Sequence, residues 1–114
     1  MVREYVKDVK QVEEKIMQML EDAARDNKII TVHFAVGILE NEECAINSYI
    51  ACNPLNMDVS HGIISLGKED EHFIDISKFE YIKCDDECID DIVDATIDME
   101  GDGYSVHFDF LSIQ

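Results

Sequence analysis

Most of the charged or titratable side chains in this sequence are the carboxylates of Asp and Glu. Ten acidic residues lie between Cys84 and Asp109, and no Lys or Arg follows Lys83. They are Asp85, Asp86, Glu87, Asp90, Asp91, Asp94, Asp98, Glu100, Asp102 and Asp109. Such a density of like charge destabilises the folded state by electrostatic repulsion, but it attracts a cationic partner. We therefore predict that these ten residues form an anionic, partner-binding surface.

A calcium loop is an alternative use of the same carboxylates. Residues 98–103 resemble the start of an EF-hand loop, and Asp109 falls at its twelfth position. The segment departs from that pattern at three positions. Glu100 stands where Asp or Asn is usual, Asp109 stands where a bidentate Glu is usual, and Ser105 replaces an apolar residue. A calcium-binding module using 98–109 stays an alternative to the partner-binding surface.

The cysteines offer a second metal hypothesis, in which Cys44, Cys52, Cys84 and Cys88 supply four thiolates to zinc. Their spacing lacks the tight knuckles of structural zinc sites, and acidic neighbours raise the pKa of a thiol. The first residues contain no apolar signal core, which favours a cytoplasmic protein with reduced thiols. We expect no metal and no cofactor.

No catalytic constellation stands out in the sequence. The histidines, at 33, 61, 72 and 107, are widely separated, and no glycine-rich phosphate loop or nucleophile elbow occurs. We therefore expect that the protein is not an enzyme.

The overall charge limits the classes of partner. The chain of 114 residues has 26 acids, 9 bases and a net charge of -17. Residues 1–28 are nearly balanced, whereas residues 29–114 contain 19 acids and three bases. Nucleic acids and anionic membranes would repel this charge, so the expected partner is a basic protein surface.

A single domain, 1–114, is expected from the length. Apolar residues recur every three or four positions over 4–27, which predicts an amphipathic helix. This helix packs on a sheet or, alternatively, forms a homodimer interface. From Ile29 the apolar period changes to two, which predicts strands at 29–38, 44–52 and 59–67. Residues 73–76 and 79–83 form a fourth and a fifth strand or, alternatively, one bent strand. Asn53-Pro54 ends the second strand, and Gly62 marks either a bulge in the third strand or a position of close contact.

The segment after Lys83 admits two interpretations. Residues 86–97 fit a helix, whereas residues 92–110 fit a hairpin that turns at residues 100–103. We favour the hairpin because both arms alternate and are rich in β-branched and aromatic residues. It would place Asp94, Asp98, Glu100, Asp109, Thr96 and His107 on one solvent face.

These elements predict an α+β fold in which the N-terminal helix packs on a strongly bent antiparallel sheet or small barrel. The sheet would have about five to seven strands and end in the hairpin, an arrangement that is similar to Sm or SH3 barrels at the level of pattern only. In size and charge the chain resembles phage anti-defence proteins, including anti-CRISPR proteins. That resemblance implies an inhibitor that mimics nucleic acid and blocks the basic channel of a nuclease or DNA-binding protein. An immunity protein for a cationic toxin nuclease is the alternative.

Overall fold

A computed structural model of the chain describes residues 9–38, 44–67, 72–87 and 91–112. Within these ranges one helix, α1 (Val9–Arg25), precedes eight strands arranged in two antiparallel sheets. The strands are β1 (Ile29–Ile38), β2 (Cys44–Cys52), β3 (Met57–Ser60), β4 (Ile63–Leu66), β5 (His72–Asp75), β6 (Tyr81–Asp85), β7 (Val93–Glu100) and β8 (Tyr104–Leu111). The α+β class and the antiparallel pairing are confirmed.

The strands are more numerous than predicted, and those described do not close into a barrel. Five of them form one sheet in the order β2-β1-β8-β7-β6, and the other three form a sheet in the order β3-β4-β5. One hydrophobic core contains buried residues from α1 and from both sheets. The helix and the small sheet therefore cover the same face of the five-stranded sheet.

Helix α1 is amphipathic, as predicted, although residues 4–8 of the predicted helix lie outside the described ranges. Its buried residues are Ile16, Met19, Leu20 and Ala23. The helix ends in a Schellman motif, in which Asn27 has a φ of 55°. The Lys28 amide donates to the Ala23 carbonyl at 2.9 Å and the Asn27 amide to the Ala24 carbonyl at 3.4 Å. This ending turns the chain directly into β1.

The predicted third strand, 59–67, is instead a tight hairpin of β3 and β4. Ser60 pairs with Ile63, so only His61 and Gly62 form the turn. Both have positive φ, 55° and 74°, as a type I′ turn requires. Gly62 is therefore a turn residue and not a bulge. The close contact is confirmed, because a Cβ at this position would lie 3.3 Å from the Val9 side chain. Its amide donates to the Glu13 carboxylate at 2.7 Å, which ties the turn to α1.

The predicted fourth and fifth strands are present, but they belong to different sheets. A 3₁₀ turn, Ile76–Lys78, separates β5 from β6, and Asp75 caps that turn by accepting from the Ser77 amide. A second 3₁₀ turn, Pro54–Asn56, follows β2, where Asn53-Pro54 was expected to end the strand.

The C-terminal hairpin is confirmed, and the helical alternative for 86–97 is wrong from Val93 onward. Ile97 pairs with Phe108 and Met99 with Val106 across β7 and β8. β8 also pairs with β1 along its length, so it lies at the centre of the five-stranded sheet. No helix within the described ranges is long and apolar enough to cross a membrane.

Candidate partner-binding surface

One side of the five-stranded sheet faces away from α1, and we call it the outer face. It carries a group of polar and charged side chains. Strand residues alternate between the two sides. Ile97 and Met99 of β7 and Phe108 of β8 lie in the core, so the residues between them point outward. Four carboxylates of β6, β7 and β8 share this outer face, and we call them the outer cluster: Asp85, Asp98, Glu100 and Asp109.

The central row of the outer face crosses all five strands. Lys83 lies opposite Asp98, which lies opposite His107. His107 in turn lies opposite His33, and His33 lies opposite Tyr49. The His33 and Tyr49 rings are stacked with centroids 4.2 Å apart. The row therefore runs from a charged half at β6, β7 and β8 to an aromatic half at β1 and β2.

Carboxylates hold both ring nitrogens of His107. Nδ1 is hydrogen-bonded to Asp98, and Nε2 lies 2.7 Å from the Asp109 carboxylate. The hydrogen bond to Asp98, and secondarily the one to Asp109, raises the pKa of His107 to about 9, although burial opposes the rise. The ring is therefore an imidazolium at neutral pH. Neither nitrogen is free to accept a proton from a substrate.

Two further rows flank the central one. In the first, Asp85 lies opposite Thr96, and Thr96 lies opposite Asp109. In the second, Glu100 lies opposite Tyr81 on one side and Ser105 on the other. Neighbouring strands are about 4.8 Å apart, and alternate residues of one strand are about 6.8 Å apart. The outer cluster is thus a small grid of carboxylates on a rigid sheet.

Asp86 points away from this grid, although it directly follows Asp85. Its carboxylate lies 2.5 Å from Nζ of Lys15 on α1. The hydrogen bond to Lys15 lowers the pKa of Asp86, and the same contact raises that of Lys15. Asp86 also lines a cleft of about 210 Å³ at the C-terminal end of α1, together with Met19 and Phe110.

Asp94 is also on the helix side of the sheet, so the prediction that it shares a face with Asp98 is wrong. The register of β7 shifts between Val93 and Ala95, and this bulge redirects the intervening side chain. The Asp94 carboxylate forms an ion pair with Lys28 and accepts a hydrogen bond from Ser112. It lines the same cleft as Asp86.

The ten predicted carboxylates therefore do not form one continuous face. The outer cluster brings four together, and Asp102 is exposed in the turn that follows Glu100. Glu87 and Asp91 are exposed in the connection between β6 and β7, and Asp90 lies outside the described ranges. The carboxylates also have cations nearby. Lys15 pairs with Asp86, Lys28 with Asp94, and His107 with both Asp98 and Asp109. Lys83 is the cross-strand neighbour of Asp98.

The metal hypotheses have no support in the geometry of the described residues. Residues 98–109 form two paired strands and a turn, whereas an EF-hand loop leads into a helix. No group of three or more His, Cys, Asp or Glu side chains within the described ranges is arranged to hold a metal ion. Of the four proposed zinc ligands, Cys88 and the side chain of Cys44 lie outside those ranges.

The two cysteines whose side chains are described are free thiols on the core side of the sheet. Burial raises the pKa of Cys84 to about 11; Lys15 opposes the rise, and Asp86 adds to it. Burial also raises the pKa of Cys52. Both thiols are therefore protonated at neutral pH and are poor nucleophiles.

Sequence reasoning placed His107 on the outer face but missed its ion pairs. The predicted hairpin register already indicated these ion pairs. It places Asp98 directly across from His107, and Asp109 is two residues away on the same strand. The pairing of Lys28 with Asp94 had no such signal, because it depends on a bulge.

Comparisons of the chain with protein-family models, with curated proteins and with solved structures found no match.

Proposed function

We propose that this protein is a small acidic binding protein whose outer cluster contacts a basic surface of a nucleic-acid-processing protein. The supporting observation is the register of β6, β7 and β8, which puts Asp85, Asp98, Glu100 and Asp109 side by side on one face. Asp102 extends this negative region to the tip of the hairpin. The rest of the chain adds a long-range attraction, because the net charge is -17.

Rigidity favours this role over that of a merely solvated surface. The carboxylates lie on paired strands, and His107 fixes two of them by hydrogen bonds to Asp98 and Asp109. Ordered charges lose little side-chain entropy when a partner binds. A regular grid of fixed negative charge on a sheet is a feature that a groove built for nucleic acid can accept.

The finer proposal is inhibition by mimicry, as in anti-defence proteins of the anti-CRISPR type. In this role the protein acts in the cytoplasm, occupies the basic channel of a nuclease, and excludes its DNA or RNA. It performs no catalysis and needs no cofactor.

The test is a cleavage assay with nucleases that have basic channels, including an RNA-guided nuclease and a toxin DNase. We expect at least one nuclease to be inhibited, with affinity that falls as salt rises and with DNA acting as a competitor. Absence of inhibition across the panel at low salt would refute the proposal.

Neutralising substitutions locate the binding face. Asp85→Asn, Glu100→Gln and Asp102→Asn remove three charges from the outer face and the hairpin tip, and they leave the His107 contacts intact. With about 0.5 kcal/mol for each exposed charge pair, we expect about tenfold weaker inhibition. Glu14→Gln, Glu21→Gln and Asp58→Asn are the matched control, because these three residues are exposed on α1 and β3. An equal loss in the control would show that only total charge matters.

A further inference from the structure

Strand β2 is an exposed edge without the features that normally protect one. It has nine residues, and among the described strands it pairs only with β1. Residues 45–49 are all exposed, and Ile46 and Tyr49 expose 60% and 71% of their surface. Natural edge strands are usually short, charged, bulged or interrupted by proline. None of the nine residues of β2 is Asp, Glu, Lys, Arg or Pro.

The other described edges are protected. β6 has five residues and includes Lys83 and Asp85. β3 and β5 have four residues each and contain Asp58 and Asp75 respectively. In a chain of net charge -17, a strand of nine uncharged residues at the sheet edge is therefore exceptional within this fold.

The sequence of β2 reads almost the same in both directions. Residues at equal distances from Ser48 are identical in three of the four pairs. The identical pairs are Cys44 with Cys52, Ala45 with Ala51, and Ile46 with Ile50, and the exception is Asn47 with Tyr49. An antiparallel pair of identical strands related by a two-fold axis places just these residues opposite each other.

We propose that β2 is a self-association strand, through which two copies of the chain pair antiparallel about a two-fold axis at Ser48. The two five-stranded sheets then form one continuous sheet. This inference goes beyond the proposed function, because it concerns a different strand and a second copy of the same chain.

The geometry of this pairing suits the exposed side chains. On the core side of the sheet, Ile46 lies opposite the partner's Ile50, so an exposed apolar side chain gains an apolar neighbour. On the outer face, Asn47 lies opposite the partner's Tyr49. The outer clusters of the two copies stay apart, since they are on β6, β7 and β8, at the far side of each sheet.

Self-association through β2 and binding of a basic partner should respond to salt in opposite directions. The paired strands carry no charge, whereas the two copies repel through their net charges. Added salt screens that repulsion, so self-association should strengthen as salt rises. Binding of a cationic partner to the outer cluster should weaken over the same range.

The test is sedimentation velocity on the full chain over a range of protein concentration, at low and at high salt. We expect a monomer–dimer equilibrium that shifts toward dimer at high salt. A monomer at every concentration up to about 1 mM in high salt would overturn the proposal, because that range covers even weak dimers.

Substitutions at Ser48 test the strand itself. Ser48→Glu and Ser48→Lys each put two like charges opposite each other at the axis, and they change the net charge in opposite directions. Both should weaken the dimer by about fivefold or more, because like charges directly opposite destabilise a strand pair. Leu55→Glu and Leu55→Lys are matched controls at a residue that is 78% exposed and lies outside β2. Circular dichroism establishes that each variant is folded. A dimer that survives both Ser48 variants would overturn the assignment to β2.

Discussion

His107 of β8 lies directly opposite Asp98 of β7, and its Nδ1 is hydrogen-bonded to the Asp98 carboxylate. With Asp109 on the other ring nitrogen, the histidine is a cation between two anions. This arrangement is the best-defined electrostatic feature of the outer face, and its contribution to stability depends on pH.

Replacing His107 with Gln should therefore destabilise the protein in a pH-dependent manner. The pKa of His107 is raised to about 9 in the folded state, from an ordinary value of 6.5. The stabilisation is fully present below pH 6.5 and is lost as the pH rises through about 9. Because these groups are partly exposed, we expect a loss on the order of 1 kcal/mol at pH 6.5 and almost none at pH 10.

Urea unfolding of the wild type and His107→Gln at these two pH values measures the difference. His72→Gln is the control, since His72 is an exposed histidine on β5. A difference between wild type and His107→Gln that is the same at both pH values would contradict the ion pair.

The turn glycines Gly62 and Gly103 provide a matched pair of substitutions. Both have positive φ, 74° and 79°, so alanine pays a backbone cost of about 1 kcal/mol at either site. At Gly62 the added Cβ would also lie 3.3 Å from the Val9 side chain, whereas at Gly103 no atom lies within 4 Å. We expect Gly62→Ala to lower the free energy of unfolding more than Gly103→Ala. Chemical denaturation measures both, and a larger loss at Gly103 would be inconsistent with this packing.

Removing Lys28 should cost more stability than removing Lys15. The side chains of Lys28 and Asp94 are 19% and 28% exposed, whereas those of Lys15 and Asp86 are 42% and 59% exposed. Lys28→Met leaves a half-buried carboxylate without its cation, so we expect a loss of about 1–2 kcal/mol, below that of a fully buried pair. Lys15→Met should cost less, because water solvates its partner. Urea unfolding at neutral pH compares the two, and an equal or larger loss at Lys15 would refute this ranking.

Cys84 should react slowly with alkylating reagents in the folded protein. Its pKa of about 11 leaves little thiolate at pH 8, and the thiol packs against the core. Iodoacetamide labelling at pH 8, followed by peptide mass mapping, should modify Cys84 at least about tenfold more slowly in the native state than in urea. Equal rates in the two states would contradict the burial of this thiol.

The elements that could be predicted from the sequence are those with a strong periodic pattern of apolar residues. The alternation in 29–38 and in the two arms of the C-terminal hairpin identified β1, β7 and β8. In the same way, the three- and four-residue spacing identified α1. Each pattern arises because one side of the element is buried, and that requirement is local.

The features that sequence reasoning missed depend on single residues or on distant contacts. The β3–β4 turn was missed because His61 adopts a positive φ, which is uncommon for a residue other than glycine. Asp94 was misplaced because one bulge moves a side chain to the other side of a sheet. The division into two sheets could not be read from the sequence, since alternation does not say which strands pair.

The position of β8 also determines how this fold can be assembled. β8 is the last of the described strands in sequence, yet it joins β1 to β7 in the five-stranded sheet. The β1–β2 hairpin and the β6–β7 hairpin therefore have no hydrogen-bonded connection until β8 inserts between them. Contacts between residues far apart in the sequence, such as Val32 with Phe108, 76 positions later, close a long loop, and such closure slows folding. Before insertion, β1 and β7 each present an unpaired edge, so the unfinished molecule is the form most exposed to aggregation and to chaperones.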